Sequence, residues 1–213
     1  MNKKDLLTLI LDEIVANLDD NLDYLNHLDS QVGGGDHGTR ILKGFKAVQD
    51  KLNQIDRTDL RLTLKDIGQI LGKHTEGTIG QILNKGLIEA SQKIKGTPEL
   101  TLETVSAVGE AILTGIKSFG KAKEGESTII DALSPALKEL KLARDSNASL
   151  PIGLLRATTA AAHGVRSTKE MIALHGRIGA SKEKSKGHID PGAASGSFIF
   201  QSLAQAIIKK LAI

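Results

Sequence analysis

Cysteine is absent from all 213 residues. With it go disulfide bridges, Cys-based zinc sites and thiol nucleophiles. Tryptophan is absent too, and one Tyr with four Phe makes aromatics only 2% of the chain. Such a chain lacks the flat platforms on which single-stranded nucleic acids stack, so direct nucleic-acid binding is not expected. No uncharged apolar run approaches the ~18 residues of a membrane span. The opening Met1-Asn2-Lys3-Lys4-Asp5, followed by Asp12 and Glu13, does not read as a secretory signal. The expectation is a cytoplasmic chain with no membrane partner. Charge of one sign is also scarce: the formal net charge is +3, with 25% charged and 40% hydrophobic residues. That balance belongs to a globular chain with an aliphatic core. The one concentrated basic tract, from Ser181 to Lys186, reads as a solvated loop ahead of a phosphate site.

What is present is helical periodicity. Leu6, Leu7, Ile10, Leu11, Ile14, Val15 and Leu18 keep the i, i+3, i+4, i+7 spacing, and Leu22, Leu25 and Leu28 extend it. Similar stripes run over 41–52, 64–71, 79–88 and 102–116, then over about 128–142, 151–174 and 192–211. No stretch alternates with period two for long enough to suggest a strand. The fold class is therefore all-α, with about eight helices in a single domain over residues 1–213. Gly96 before Pro98, Gly120 and Gly176 look like helix stops. Thr63 with Asp66 resembles a capping box, and Asp190-Pro191 reads as an N-cap followed by Pro at the first helical position.

The 22 glycines ask where they fall, because Gly is costly inside a helix and useful in a loop. They concentrate, with polar residues, in four inter-helix segments: 28–40, 74–80, 120–128 and 176–195. These follow the first, third, fifth and seventh predicted helices. In an antiparallel bundle, alternate loops share one end, which would set four loops ahead of four helix N-termini that favour anions. A phosphate or nucleotide site is the favoured reading of that end. Asp29 and Asp36 have the oxygens for a hard cation beside a nucleotide, although by spacing alone helix capping has the edge. His37 has three open roles: phosphate contact, proton transfer or backbone hydrogen bonding. Arg177 beside Gly176 suits either a phosphate fork or helix capping. No strand precedes the glycines, so neither a Walker-A loop nor a Rossmann turn is present in context.

The segment Leu28-Asp29 to Asp36-His37-Gly38-Thr39 resembles the signature of the ADP-binding L subunits of phosphoenolpyruvate-dependent dihydroxyacetone (glycerone) kinases. The similarity continues through Gly120-Lys121-Ala122, Thr128, Asp131-Ala132-Leu133, Pro135, Gly176-Arg177 and Asp190-Pro191-Gly192-Ala193, and covers essentially the whole chain. The resemblance implies an eight-helix antiparallel barrel or bundle with Gly-rich loops at one end. It implies ADP/ATP as a retained cofactor with one or two Mg²⁺ ions. It also implies a phosphohistidine partner, the M subunit, that recharges ADP, and a K subunit carrying dihydroxyacetone that receives the phosphoryl group. A transcription regulator and a homodimer are further partners within this reading. Carried over, Asp29 and Asp36 would bind metal. His37, Gly38, Thr39, Arg40, Thr78, Gly120, Thr128, Ile129, Arg177, Asp190, Pro191 and Gly192 would line the nucleotide.

The chain departs from the family pattern at several of these positions. Gly34 stands where the family carries the middle of three metal-binding aspartates, which weakens the metal site, and Arg40 stands where it carries Asn. In the second loop, Glu76 replaces a Gly and Ile79 a phosphate-contacting Ser. A carboxylate at position 76 facing a diphosphate would repel it, whereas Arg40, Lys182, Lys184 or Lys186 can replace some metal charge. Two readings therefore stand: a kinase subunit, or a non-catalytic paralogue that keeps the fold and serves as a regulatory partner.

Overall fold

The computed structural model describes residues 5–96, 98–176 and 182–212. Among them the chain forms nine α-helices and no strand. They are α1 (Leu6–Asp20), α2 (Leu22–Val32), α3 (His37–Asp50), α4 (Leu60–His74), α5 (Thr78–Lys93), α6 (Leu102–Gly120), α7 (Ile129–Asp145), α8 (Leu150–Ser167) and α9 (Pro191–Leu211). Contacts close in the order α1, α3, α4, α5, α6, α7, α9 and back to α1. Helix α8 packs on α7 and α9, and α2 on α3 and α9. No helix among the described residues is long and apolar enough to cross a membrane.

The all-α expectation holds, and three boundaries differ from the periodicity. The first predicted helix is two, because Asn21 leaves helical geometry and turns its side-chain amide back to the Asn17 carbonyl at 2.8 Å. Helix α4 begins at Leu60 instead of at the expected Thr63 cap. Its N-cap is Asp59, whose carboxylate accepts the Arg61 N–H at 2.7 Å, while the Thr63 hydroxyl donates to the Asp56 and Asp59 carbonyls. Helix α8 ends at Ser167, and a 3₁₀ turn over Thr168–Glu170 follows, so the last residues of the 151–174 stripe are not α-helical. The Asp190-Pro191 reading matches the cap observed: Asp190 Oδ1 accepts the Ala193 N–H at 2.6 Å.

The core is aliphatic, as the shortage of aromatics requires. One cluster joins Leu18, Leu25, Ile41, Leu71, Ile116 and Ile130, with Phe45 as its buried aromatic. A second is built on α7, α8 and α9 from Leu140 and Leu154 with Ala136, Ala143, Ala157, Ala161 and Ala204. Each fully buried leucine contributes about 1.5–3 kcal/mol, while the alanines let helix backbones approach. Gly164 on α8 takes this furthest. A Cβ there would collide with the Asp131 carbonyl and reach 2.9 Å from the Pro135 ring. Gly164→Ala gains about 1 kcal/mol of helix propensity, yet must push α8 away from α7. The expected outcome is a net loss of about 1–3 kcal/mol, read as a lower midpoint in urea unfolding with the slope unchanged.

Candidate functional site

The N-termini of α3, α5, α7 and α9 converge at one end of the bundle. Their first residues, His37, Thr78, Ile129 and Pro191, all line a cleft of about 330 Å³. Each helix N-terminus carries about half a positive charge in its unpaired N–H groups, so this wall favours an anion. Ile79, Ile82, Ile116, Phe119 and Ala122 supply an apolar wall to the same cleft. The four glycine-rich segments singled out by sequence all contribute lining residues. A pocket of this kind can seat a ligand with an anionic end and a flat apolar end.

The α2–α3 turn forms the charged edge. Asp29 lies inside α2 and is buried, and its Oδ2 accepts the N–H groups of Asp36 at 2.9 Å and His37 at 3.2 Å. Asp29 thus caps α3 from a distance, whereas Asp36, at the N-cap position, makes no side-chain cap bond. Arg40, one turn into α3, folds back over both acids. Its Nη2 stands 2.9 Å from Asp36 Oδ1 and 3.7 Å from Asp29 Oδ2, and the side chain is only 10% exposed. The His37 ring is buried, with Nε2 2.9 Å from the Ser195 hydroxyl of α9. Since Ser195 donates to the Gly192 carbonyl, a neutral His37 donating through Nε2 completes the network.

Helix α5 differs from its neighbours. Its N-cap is Gly77, with φ of 79° and no side chain to accept a first-turn N–H. A Cβ at Gly77 would collide with Arg40 Nη1, so the guanidinium lies against the start of α5. Helix α7 carries a full capping box: the Thr128 hydroxyl accepts the Ile130 N–H, and Asp131 accepts the Thr128 N–H at 2.8 Å. Asp131 also accepts the Gly125 N–H, tying down the loop before α7. Glu124, held at about 2 chiefly by its hydrogen bond from Lys138, bridges that lysine and Lys117.

Of the residues expected at the site, Asp29, His37, Arg40, Thr78, Gly120, Thr128, Ile129, Asp190, Pro191 and Gly192 line the cleft. Asp36 joins them through Arg40. Gly38 and Thr39 do not reach the wall. Gly38 is packed against the Leu22 carbonyl and Leu25, and Asn26 clasps Thr39 through both its N–H and its hydroxyl. Arg177 lies outside the described residues. The expected repulsion from Glu76 does not arise, because its carboxylate turns outward to Lys43 at 2.7 Å. Lys182 and Lys184 are exposed on a 3₁₀ turn and Lys186 just beyond it; none lines the cleft. Residues that sequence reasoning did not assign to the site include Gly77, Ser127 and His175. His175 Nε2 lies 2.7 Å from Glu126 Oε2, and its signal was its place beside Gly176-Arg177.

The resemblance implies one or two Mg²⁺ ions, and these residues do not fit two. Asp29 Oδ2 is engaged by two N–H groups and faces Arg40, Asp36 is paired with the same guanidinium, and position 34 has no side chain. Among the described residues no group of three or more His, Asp or Glu is placed to hold a metal ion.

Comparison with known proteins agrees with this architecture. The family model described as the DAK2 domain matches residues 31–205. The ADP-binding subunit DhaL of the PEP-dependent dihydroxyacetone kinase of Escherichia coli is 35% identical over 184 residues, covering 86% of this chain and 88% of that one. The corresponding subunit of a second such kinase from Listeria innocua is 30% identical, covering 93% and 94%. The crystal structure of the dihydroxyacetone kinase from C. freundii in complex with AMP-PNP and Mg²⁺ superposes with a TM-score of 0.69 at 30% identity. It covers 96% of this chain and 34% of that larger one.

One buried and one partly buried group give the site a pH signature. Burial pushes the His37 imidazole from 6.5 down to about 4, against the pull of Asp29. Burial pushes the Asp190 carboxyl from 3.8 up to about 7, against its hydrogen bond from Ala193 and with the help of Asp131. From pH 4 to 6.5 the unfolded chain binds a proton at His37 that the folded chain does not, so this term stabilises as pH rises. From pH 3.8 to 7 the folded chain binds a proton at Asp190 that the unfolded chain does not, so this term weakens the fold as pH rises. The slopes oppose each other, worth at most about 3 kcal/mol for His37 and about 4 kcal/mol for Asp190. Relative to wild type, His37→Gln should lose stability as pH is raised from 4 to 7. Asp190→Asn should lose it as pH is lowered from 6.5 to 4. Urea midpoints across that range check both.

Proposed function

The chain belongs to the DAK2-domain family, and on that premise we propose that it is the nucleotide-binding subunit of a dihydroxyacetone (glycerone) kinase. In this reading residues 1–213 form one L-subunit-like domain that retains ADP/ATP. Phosphoryl groups arrive from a phosphohistidine partner and leave for dihydroxyacetone carried on a K subunit. The observation that carries the proposal is the convergence of four helix N-termini on a cleft whose other wall is apolar. That division suits a diphosphate at one end and an adenine ring at the other.

Bound nucleotide would supply the phosphoryl acceptor as ADP and the donor as ATP. The protein's own residues do the holding. The starts of α5 and α7, at Thr78 and Ile129, present N–H groups to the phosphates, Thr128 having given its own to Asp131, and the Asp190-Pro191-Gly192 turn with Gly120 closes the pocket. His37 spends its N–H on Asp29 and its ring on Ser195, so it positions α3 against α9. Gly38 and Thr39 serve the first turn of α3. Asp29 and Asp36 are assigned to Arg40 in place of a two-ion centre.

A second reading, a non-catalytic paralogue that acts as a regulatory partner, is favoured by the same Asp29–Arg40–Asp36 cluster. Calorimetry with ADP separates the two. The expected result is one ADP per chain, with thermal stabilisation that follows ligand concentration, about 2.7 kcal/mol at a hundredfold excess over Kd. Gly77→Ala, which places a methyl group against Arg40 at a left-handed backbone position, should weaken ADP by about tenfold or more. No heat and no stabilisation at millimolar ADP would leave the paralogue reading in its place.

A further inference from the structure

The Arg40 guanidinium occupies the space between two acids that a shared cation would otherwise bridge. It is a buried cation, 10% exposed, facing one buried and one half-exposed carboxylate. A buried charge is retained only where it is paired and hydrogen-bonded. Here Asp29 is also satisfied by two N–H groups from α3. The cluster is thus complete without any ion, and the departures at positions 34 and 40 act together. Gly34 removes one carboxylate, and Arg40 neutralises one of the two that remain. The cluster itself keeps a single negative charge, and beside it the start of α5, which no side chain caps, carries about +0.5.

Position matters as much as charge. Arg40 Nη1 lies against Gly77, at the start of α5, where no side chain caps the first-turn N–H groups. The guanidinium and those N–H groups therefore share one corner of the cleft, lined by Arg40, Gly77 and Thr78. A phosphate oxygen entering there meets donors from α5 beside a fixed positive charge. Glu76, the one further acid in this loop, is turned out to Lys43 and does not oppose it.

We propose that Arg40 takes the place of a metal ion between Asp29 and Asp36, so that the cleft binds a nucleoside diphosphate without requiring a divalent cation. This rests on the nucleotide-binding reading above. The test is titration calorimetry of the full chain with ADP, once in excess magnesium and once in EDTA. The two dissociation constants are expected to agree within about threefold. Binding in magnesium that weakens by about tenfold or more in EDTA overturns the proposal and leaves the nucleotide-binding reading standing. Absence of binding in both buffers overturns both.

Two variants assign the effect to Arg40. Arg40→Lys keeps the charge but cannot span both acids, and should weaken ADP in EDTA by about tenfold; unchanged affinity would overturn the assignment. Gly34→Asp with Arg40→Asn restores a third carboxylate and removes the guanidinium. This double variant should bind ADP at least about tenfold more tightly in magnesium than in EDTA. Circular dichroism establishes that each is folded. The wild-type comparison stands without them.

Discussion

A buried carboxylate costs several kcal/mol unless the chain surrounds it with donors, and Asp29 is surrounded. It sits three residues before the end of α2, accepts the first N–H groups of the next helix, and faces the Arg40 guanidinium. Those bonds fix the angle at which α3 leaves α2, and with it the position of His37. His37 in turn reaches Ser195 on α9, 158 residues away in sequence. Helix α9 packs on α1, α7 and α8, so one acid near the start of the chain helps set where its last helix lies. The cleft exists because those helix starts are held together at one end.

The helical stripes were legible because burial on one face leaves a 3.6-residue trace whatever the neighbours are. The four site-forming loops were legible because glycines and polar residues clustered between the stripes. The Asp190-Pro191 cap was legible because its chemistry is local. Asn21 was not. Leu22, Leu25 and Leu28 continue the period through the break, and only the amide turned back to Asn17 reveals it. Thr63 was misplaced because a hydroxyl bonding a carbonyl four residues back sits inside a helix as readily as a capping one precedes it.

Side-chain direction was the larger gap. Glu76 looked repulsive toward an anion until Lys43, on another helix, drew it outward. Arg40 could be counted as a charge from the sequence, but its target could not be chosen between phosphate and protein. The deciding neighbour is Gly77, whose missing Cβ leaves room for the guanidinium beside α5. Glycine itself carried two messages. Gly77 serves a left-handed turn at the cleft, whereas Gly164 serves the close approach of α8 to α7. The sequence placed Gly77 in a loop and Gly164 inside a helical stripe, and what each glycine is for is a matter of packing.

Charge in this cleft is balanced at a lower level than in a site built on three acids and divalent ions. In the nucleotide-binding reading, the guanidinium and the uncapped start of α5 are fixed before the ligand arrives and would meet a diphosphate without reorganisation. Holding and transferring are separate demands. A transferring phosphoryl group spreads charge over oxygens that must be met by donors free to strengthen. Arg40 already gives Nη2 to two carboxylates, so its remaining edge contributes little additional pull as that charge develops. In that reading, the pairing that would let the cleft retain nucleotide would shift the burden of catalysis onto the uncapped start of α5 and onto donors supplied from outside the cleft.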